Sequence, residues 1–259
     1  VAYVGLEPFL SGLRDYFRDH AYDNATFADL LGALEKSSGR DLSDWGQQWL
    51  KTTGLNTLRA DFDVDGDGAF TRFAIAQSGA APGAGETRVH RLAVGIYDDD
   101  GSGKLVRVHR EELDVEGSVT EVPALIGVSR GKLVLVNDDD LTYCSMRLDP
   151  ASLQTVLSRI ADIEDPLPRT LAWSAAWEMT REAEMKAREF VALVMSGLHA
   201  ETEAPIHTLG HLYESLLKEM RDAAGDSGEF YTPRAVVRFM VAALDPRLGE
   251  TVHDPACGT

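Results

Sequence analysis

The amino-acid sequence predicts an α+β chain of several domains: short helices, then an antiparallel β-sandwich, then a helical region that leads into one last strand. Two patterns predict this order. Before residue 57 and after residue 148, apolar residues recur every three or four positions, which is typical of amphipathic helices. Between these points, short runs alternate apolar and polar residues and are separated by Gly- and Asp-rich turns, which is typical of antiparallel strands.

The first predicted domain, residues 1–56, contains three short amphipathic helices. Thr26 is a suitable N-cap for the second helix, and Gly39 is a suitable stop. Gly54 is expected to close the third helix. The predicted helices cover residues 6–20, the stretch from 24 to 39 and the stretch from 41 to 54.

The second predicted domain, residues 57–148, is the sandwich. Its first strand places Leu58, Ala60 and Phe62 on one face and charged residues on the other. The sequence Asp-Gly-Asp-Gly at 65–68 predicts a hairpin turn. Further breaks are predicted at a loop over 79–85 and a turn over 98–103, and the expected strands are 57–64, 69–77, 87–97, 104–110, 118–122 and 132–136.

The third predicted domain, residues 149–203, is the start of a helical domain. Pro150 or Ser152 begins its first helix. We expect the prolines within 165–168 to break that helix, and a second helix to follow with Trp173 and Trp177 on its apolar face. A long third helix is predicted over residues 181–198.

The fourth predicted segment, residues 204–259, holds two helices and one strand. A helix is expected over 206–222, and Thr232 with Pro233 forms an N-cap and first-turn pair for the next helix. The strand at 251–254 runs into the sequence Asp-Pro-Ala-Cys-Gly-Thr, which predicts a sharp turn.

The composition is that of an ordinary globular chain. It has 259 residues, of which 44% are apolar and 26% charged, with a formal net charge of −17. No run approaches the ~20 apolar residues that a membrane span needs. Two cysteines do not make a disulfide framework or a zinc cluster, so we expect a cytoplasmic protein. Such an acidic chain repels phosphate backbones unless a local basic face exists.

Two motifs imitate metal sites. Asp63, Asp65 and Asp67 match the start of a calcium loop, but the twelfth position is Ala74 and no helix is predicted beside it, so a hairpin turn is favoured. His207 and His211 are four residues apart on a predicted helix, but the glutamate of the H-E-x-x-H pattern is absent. We therefore predict no metal site and no catalytic residue in this chain.

The four tryptophans form two pairs with i, i+4 spacing, at 45 and 49 and at 173 and 177. A stacking platform for a ligand is one interpretation. Packing against the core is favoured, because each pair lies on an apolar stripe.

The C-terminal segment has the order of parts that a ligand site needs. A polar aromatic loop caps a helix, and a strand then ends in Asp254 and turns through Gly258, so that backbone N–H groups can approach a small ligand. Residues 206–259 resemble the start of the catalytic domain of the methylation subunit of type I restriction–modification systems. The stretches that carry the resemblance are Leu-Gly-His-Leu-Tyr-Glu-Ser-Leu-Leu at 209–217, Gly-Glu-Phe-Tyr-Thr-Pro-Arg-Ala-Val-Val at 228–237 and Asp-Pro-Ala-Cys-Gly-Thr at 254–259.

This resemblance implies an adenine-specific DNA methyltransferase that uses S-adenosylmethionine and works with DNA and a specificity subunit. The last strand would then be the first strand of a truncated α/β methyltransferase domain. The implied cofactor-binding residues are Tyr231, Thr232, Pro233, Asp254, Ala256 and Gly258. The acidic residue for the ribose and the Asn-Pro-Pro-aromatic motif for the flipped adenine are not in the sequence, so we expect no methyl transfer from this chain.

Residues 1–203 resemble a different family, the actinobacterial type of aminopeptidase N, a zinc exopeptidase. The matching stretches include 16–24, 45–50, 53–57, 133–141 and 147–150. The resemblance implies the last helices of a thermolysin-like domain (1–56), a β-sandwich (57–148) and the opening of a helical C-terminal domain (149–203), acting on peptides. The zinc ligands and general base of that family belong to an H-E-x-x-H motif, which this sequence does not contain.

The sequence therefore predicts a chimeric or fragmentary chain, catalytically incomplete, that joins a non-catalytic section of an aminopeptidase to the cofactor-binding start of a DNA methyltransferase. The join is expected near residues 201–206, and both ends of the chain are expected to be cuts within longer sequences. The alternative is a type I methylation subunit, on the strength of the C-terminal motifs alone.

Overall fold

The structure is a computed structural model that describes residues 1–199. Three helices come first, α1 (Leu6–Asp19), α2 (Phe27–Ser38) and α3 (Ser43–Leu50). Thr26 caps α2 as predicted, and the Asp29 carboxylate accepts from the Thr26 backbone N–H at 2.7 Å. Gly39 ends α2 in the left-handed conformation, at φ 70°.

The predicted end of the third helix at Gly54 is wrong. The helix ends at Leu50, where the Lys51 backbone N–H donates to the Gln47 carbonyl. Gly54 has a φ of 79° and stands directly before the first strand, so it turns the chain into the sheet instead of closing the helix.

Within residues 1–199, seven strands form two sheets. One has the order β5-β2-β1-β7 and the other β4-β3-β6. The strands are β1 (Leu55–Val64), β2 (Phe70–Ala81), β3 (His90–Asp99), β4 (Leu105–Val115), β5 (Val119–Glu121), β6 (Leu133–Asp138) and β7 (Ser145–Arg147). The expectation of a wholly antiparallel sandwich is wrong at one place, because β7 runs parallel to β1. β7 has three residues, too few to show an alternating pattern.

The core lies between the sheets and is built by the inward residues of the alternating strands. Phe70 and Phe73 are buried from one sheet, and Phe62 packs against both with ring centres 5.1 and 5.7 Å away. The opposite sheet contributes apolar side chains at Leu92, Val94, Ile96, Val134 and Val136. Because the strand residues that face this core are apolar, the alternation in the sequence predicts these strands.

The predicted hairpin at 65–68 is confirmed. Asp65 accepts from the backbone N–H groups of Asp67 and Ala69 at 3.0 and 2.9 Å, so its carboxylate holds the turn. The strand after it is longer than predicted and continues to Ala81, into the expected loop. The reason is that the chain folds back on itself there, with the Ala80 N–H donating to the Glu86 carbonyl at 2.9 Å.

In the part of the chain that the structure describes, three helices follow the sandwich, α4 (Pro150–Arg159), α5 (Pro166–Arg181) and α6 (Ala187–His199). Pro150 is the first residue of α4, after the N-cap Asp149. The predicted break between α4 and α5 is present but lies before 165–168: α4 ends at Arg159, and Pro166 already begins α5 after its N-cap Asp165. Proline lacks only an N–H that the first helical turn leaves unbonded anyway.

The predicted helix over 181–198 begins later, at Ala187. A turn separates it from α5, with Ala183 at a φ of 61°. Arg147 of β7, only 3% exposed at its side chain, pairs with Glu182 at 2.7 Å and Glu184 at 2.6 Å. These ion pairs hold the turn against the sandwich. Helix propensity depends on local sequence alone and does not include such tertiary contacts.

Candidate functional site at the junction of helix and sandwich

The cofactor-binding residues predicted from the sequence lie outside the described residues. They are Tyr231, Thr232, Pro233, Asp254, Ala256 and Gly258, and the same holds for His207 and His211. Within residues 1–199, no group of three or more His, Cys, Asp or Glu side chains is placed to hold a metal ion. Two polar clusters of this part lie at the junction between α3 and the sandwich and across β3, β4 and β6.

A buried arginine organises the junction. Arg88 is 3% exposed and directs its guanidinium at the segment between α3 and β1. Its nitrogens donate to the carbonyls of Gln48, Thr53 and Gly54 at 2.9–3.0 Å. The remaining acceptors are Thr52 Oγ1 and Asn56 Oδ1. The positive charge is thus held by neutral oxygens, and this fixes how the helical segment enters the sheet.

Trp49 and His90 complete the junction. The Trp49 indole N–H donates to the Val89 carbonyl at 3.1 Å, and its ring meets the His90 ring edge-on at a centroid distance of 5.1 Å. His90 is fully buried, and its Nδ1 lies 2.8 Å from Thr142 Oγ1. Burial, with the positive charge of Arg88 added, lowers the pKa of His90 to about 4, so the ring is neutral at pH 7.

This burial makes the stability of the sandwich pH-dependent. His90 binds a proton more readily in the unfolded chain than in the folded one. The contribution of its buried neutral ring to the free energy of unfolding is therefore complete above about pH 6.5 and is lost as the pH falls towards 4. We expect His90→Gln to remove about 3 kcal/mol of the pH dependence of unfolding over that range. Urea denaturation between pH 4 and 7 measures it. An unaltered slope in His90→Gln, or the same loss in the control His20→Gln, would contradict the assignment.

A second polar cluster is built around Asp138, which is fully buried at the end of β6. Tyr97 Oη donates to Asp138 Oδ1 and Arg107 donates to Oδ2, each at 2.8 Å. Burial raises the pKa of Tyr97, so its hydroxyl stays protonated and donates. The turn that follows is strained, since Asn137, Asp139 and Asp140 all have a positive φ, between 54° and 68°.

A ladder of partly exposed ion pairs runs from this cluster back to the helices. Arg110 bridges Asp139 and Glu112 at 2.6 Å each. Arg91 of β3 then links Glu112 to Asp114. Asp114 then pairs with Arg40, between α2 and α3, at 3.0 Å. Each exposed pair contributes little on its own, but the ladder orients the helices on the sheet.

One tryptophan of each pair packs on a buried ring, as the favoured interpretation predicts, although none of the four is fully buried. Trp49 packs on His90, and the ring centroids of Trp177 and Phe190 are 5.2 Å apart. Sequence reasoning did not find Arg88, His90 and Asp138. The one feature of the sequence that these three residues share is a position near the end of a predicted strand. Exposed polar residues are also common there, so the position does not single them out.

Two family profiles match the chain. One, described as ERAP1-like C-terminal domain, matches residues 133–228, and the other, described as N-6 DNA Methylase, matches residues 204–259. Both profiles match residues 204–228, so the position of the join stays a prediction.

Curated relatives divide the chain in the same way. Aminopeptidase N of Streptomyces lividans is 50% identical over 208 residues, which are 78% of this chain and 24% of that protein. The Type I restriction enzyme EcoEI methylase subunit of Escherichia coli is 58% identical over 53 residues, 20% of this chain and 11% of that protein. The chain therefore spans about a quarter of the aminopeptidase and about a tenth of the methylase subunit.

The fold agrees with the larger match. A crystal structure of Legionella pneumophila aminopeptidase A in complex with aspartic acid superposes with a TM-score of 0.53 at 16% identity, covering 75% of this chain and 22% of that one. No helix within residues 1–199 has the length and apolar character that crossing a membrane requires. Over most of its length the chain is a homologue of aminopeptidase N, and its C-terminal residues are homologous to type I restriction methylase subunits.

Proposed function

We propose that residues 1–203 serve as a non-catalytic supporting section of an aminopeptidase N-like metallopeptidase that acts on peptides. The observation that carries this proposal is the 50% identity with aminopeptidase N over 208 residues. In this proposal residues 1–56 are the end of a thermolysin-like domain, residues 57–148 the sandwich and residues 149–203 the start of a helical domain. The Arg88 junction and the ladder from Asp139 to Arg40 then hold the first of these units against the second.

Zinc belongs to the proposed parent enzyme, and this chain's described residues do not fit it. Hydrolysis by a zinc exopeptidase needs a metal-held water and a general base. Within residues 1–199, the buried polar residues of the two clusters make structural contacts: Arg88 with carbonyls, His90 with Thr142, and Asp138 with Tyr97 and Arg107. No catalytic step is therefore assigned to them.

The test is an aminopeptidase assay on the purified 259-residue chain. We expect no release of the reporter group from aminoacyl amides above the rate without protein, whether zinc or a chelator is added. The Streptomyces lividans enzyme under the same conditions is the positive control. Hydrolysis that a chelator abolishes and zinc restores would overturn the proposal.

A second candidate function rests on the C-terminal segment. The 58% identity with a type I methylase subunit supports a cofactor-binding role for Tyr231, Thr232, Pro233, Asp254, Ala256 and Gly258 toward S-adenosylmethionine. DNA and a specificity subunit would be the partners of such a segment. By this proposal Asp254 and Gly258 form the turn around the methionine end of the cofactor.

Calorimetric titration with S-adenosylmethionine tests this second function. We expect weak binding or none, because the acidic residue that would hold the ribose is not in the sequence. Micromolar binding that Asp254→Ala abolishes and Asp226→Ala leaves unchanged would show that the segment is a competent cofactor site.

The compartment we propose is the cytoplasm. Cys144 is not in a disulfide, and burial raises its pKa to about 12, so the thiol is unreactive. A structural thiol of this kind is compatible with a reducing environment.

A further inference from the structure

A pocket with a volume of about 230 Å³ lies beside α3, where the first residues of the chain meet the loop after β6. Four of its lining residues are aromatic, Tyr3, Trp45, Trp49 and Tyr143, and the first residues, Val1 and Ala2, and Leu141 also line it. The volume is below the range of about 300–1,000 Å³ that drug-sized ligands occupy, so the pocket suits a single small ring system.

Two polar groups of the walls already have partners. The Trp49 indole N–H is bonded to the Val89 carbonyl, and Thr142 Oγ1 is bonded to His90. A ligand therefore gains contact area with the rings rather than hydrogen bonds, which favours an apolar, flat molecule.

The arginines around the pocket are already engaged. The Arg40 guanidinium carbon lies 4.5 Å from the Tyr3 ring centre, and that of Arg88 lies 5.3 Å from the Trp49 ring centre. These guanidiniums already use the cation–π capacity of the two rings and repel another cation. Arg91 in the wall is paired with Glu112 at 2.9 Å and Asp114 at 3.2 Å, so it offers no net charge to an anion.

Contacts within the fold position part of the walls. Tyr3 and Trp45 are stacked with an interplanar angle of 16° and a centroid distance of 6.2 Å. The strained turn at 137–140 places Leu141 and Tyr143, and Asn137 holds that loop by donating to the Thr142 carbonyl at 2.8 Å. Such preorganisation lowers the cost of binding a small ligand.

From these observations we infer that the pocket binds a neutral, flat aromatic molecule of about the size of indole. The tryptophan spacing allowed a stacking platform as one interpretation. This inference assigns that role to Trp45 and Trp49, together with Tyr3 and Tyr143. This inference is independent of the proposed peptidase and methyltransferase relationships.

The test is saturation-transfer NMR on the full 259-residue chain with indole as the probe. We expect saturable transfer to indole and none to choline or benzoate, which represent a cation and an anion. Tyr143→Ala removes a ring whose residue is 73% exposed, so the fold is kept, and it should weaken indole binding about tenfold. Trp45→Ala should do the same, and the control Tyr22→Ala, at a fully exposed tyrosine, should change nothing.

Three results would overturn the inference. They are the absence of transfer to indole, indole binding that Tyr143→Ala leaves unchanged, and tighter binding of choline or benzoate than of indole. Circular dichroism of each variant confirms that it is folded, and the Tyr143→Ala comparison stands even if Trp45→Ala does not fold.

Discussion

Replacing Arg88 by methionine is expected to lower the free energy of unfolding by about 3–5 kcal/mol. Methionine keeps much of the side-chain volume but removes every donor. The carbonyls of Gln48, Thr53 and Gly54, which are partly buried at these contacts, then lose their partner, and so does the buried Asn56 Oδ1. Each buried acceptor that loses its hydrogen bond costs about 1–3 kcal/mol, which is why the sum is large.

Chemical denaturation of Arg88→Met, compared with Arg59→Met, measures this effect. Arg59 is exposed on β1, so its replacement should change stability by less than about 0.5 kcal/mol. Arg88→Lys should recover only part of the loss, because an ammonium group cannot match the planar fork of the guanidinium. Amide exchange should speed up first in α3 and residues 51–54. A change below about 1 kcal/mol in Arg88→Met would contradict the role of this residue.

Substituting alanine for Gly95 is expected to destabilise the sandwich by about 2–4 kcal/mol. A Cβ at this position would overlap Asp138 Oδ2 and lie 2.7 Å from the carboxylate carbon and 2.9 Å from Tyr97 Cε2. Asp138 is fully buried. Displacing it breaks its hydrogen bonds with Tyr97 and Arg107, each of which is 2.8 Å long.

Gly32→Ala is the matched control and should act in the opposite direction. Gly32 is inside α2, and a Cβ there meets nothing within 4 Å. Alanine is the better helix former, so this variant should gain about 0.5–1 kcal/mol. Thermal unfolding of the two variants side by side separates the steric effect from the general effect of adding a methyl group. Equal shifts in the same direction would show that Asp138 does not depend on the space at Gly95.

The tertiary structure differs from the sequence-based predictions at positions where local chemistry permits two outcomes. A proline after an aspartate can break a helix or begin one, and at Asp165 it begins α5. Residues 182–186 favour helix by composition, yet they turn because Arg147 holds Glu182 and Glu184 against the sandwich. β7 pairs parallel with β1 over three residues, too few to show a period.

The sequence by itself determined the order of the helices and the sandwich, the cap at Thr26, the hairpin at 65–68 and the two unrelated families that meet in one chain. These features are encoded locally, in the period of apolar residues, in turn chemistry and in contiguous motifs. Only the tertiary structure decided that Arg88, His90 and Asp138 are buried and that Tyr3, Trp45 and Tyr143 share one pocket. The physical reason is that a polar residue is buried only where partners from distant segments satisfy it, and no local pattern records those partners.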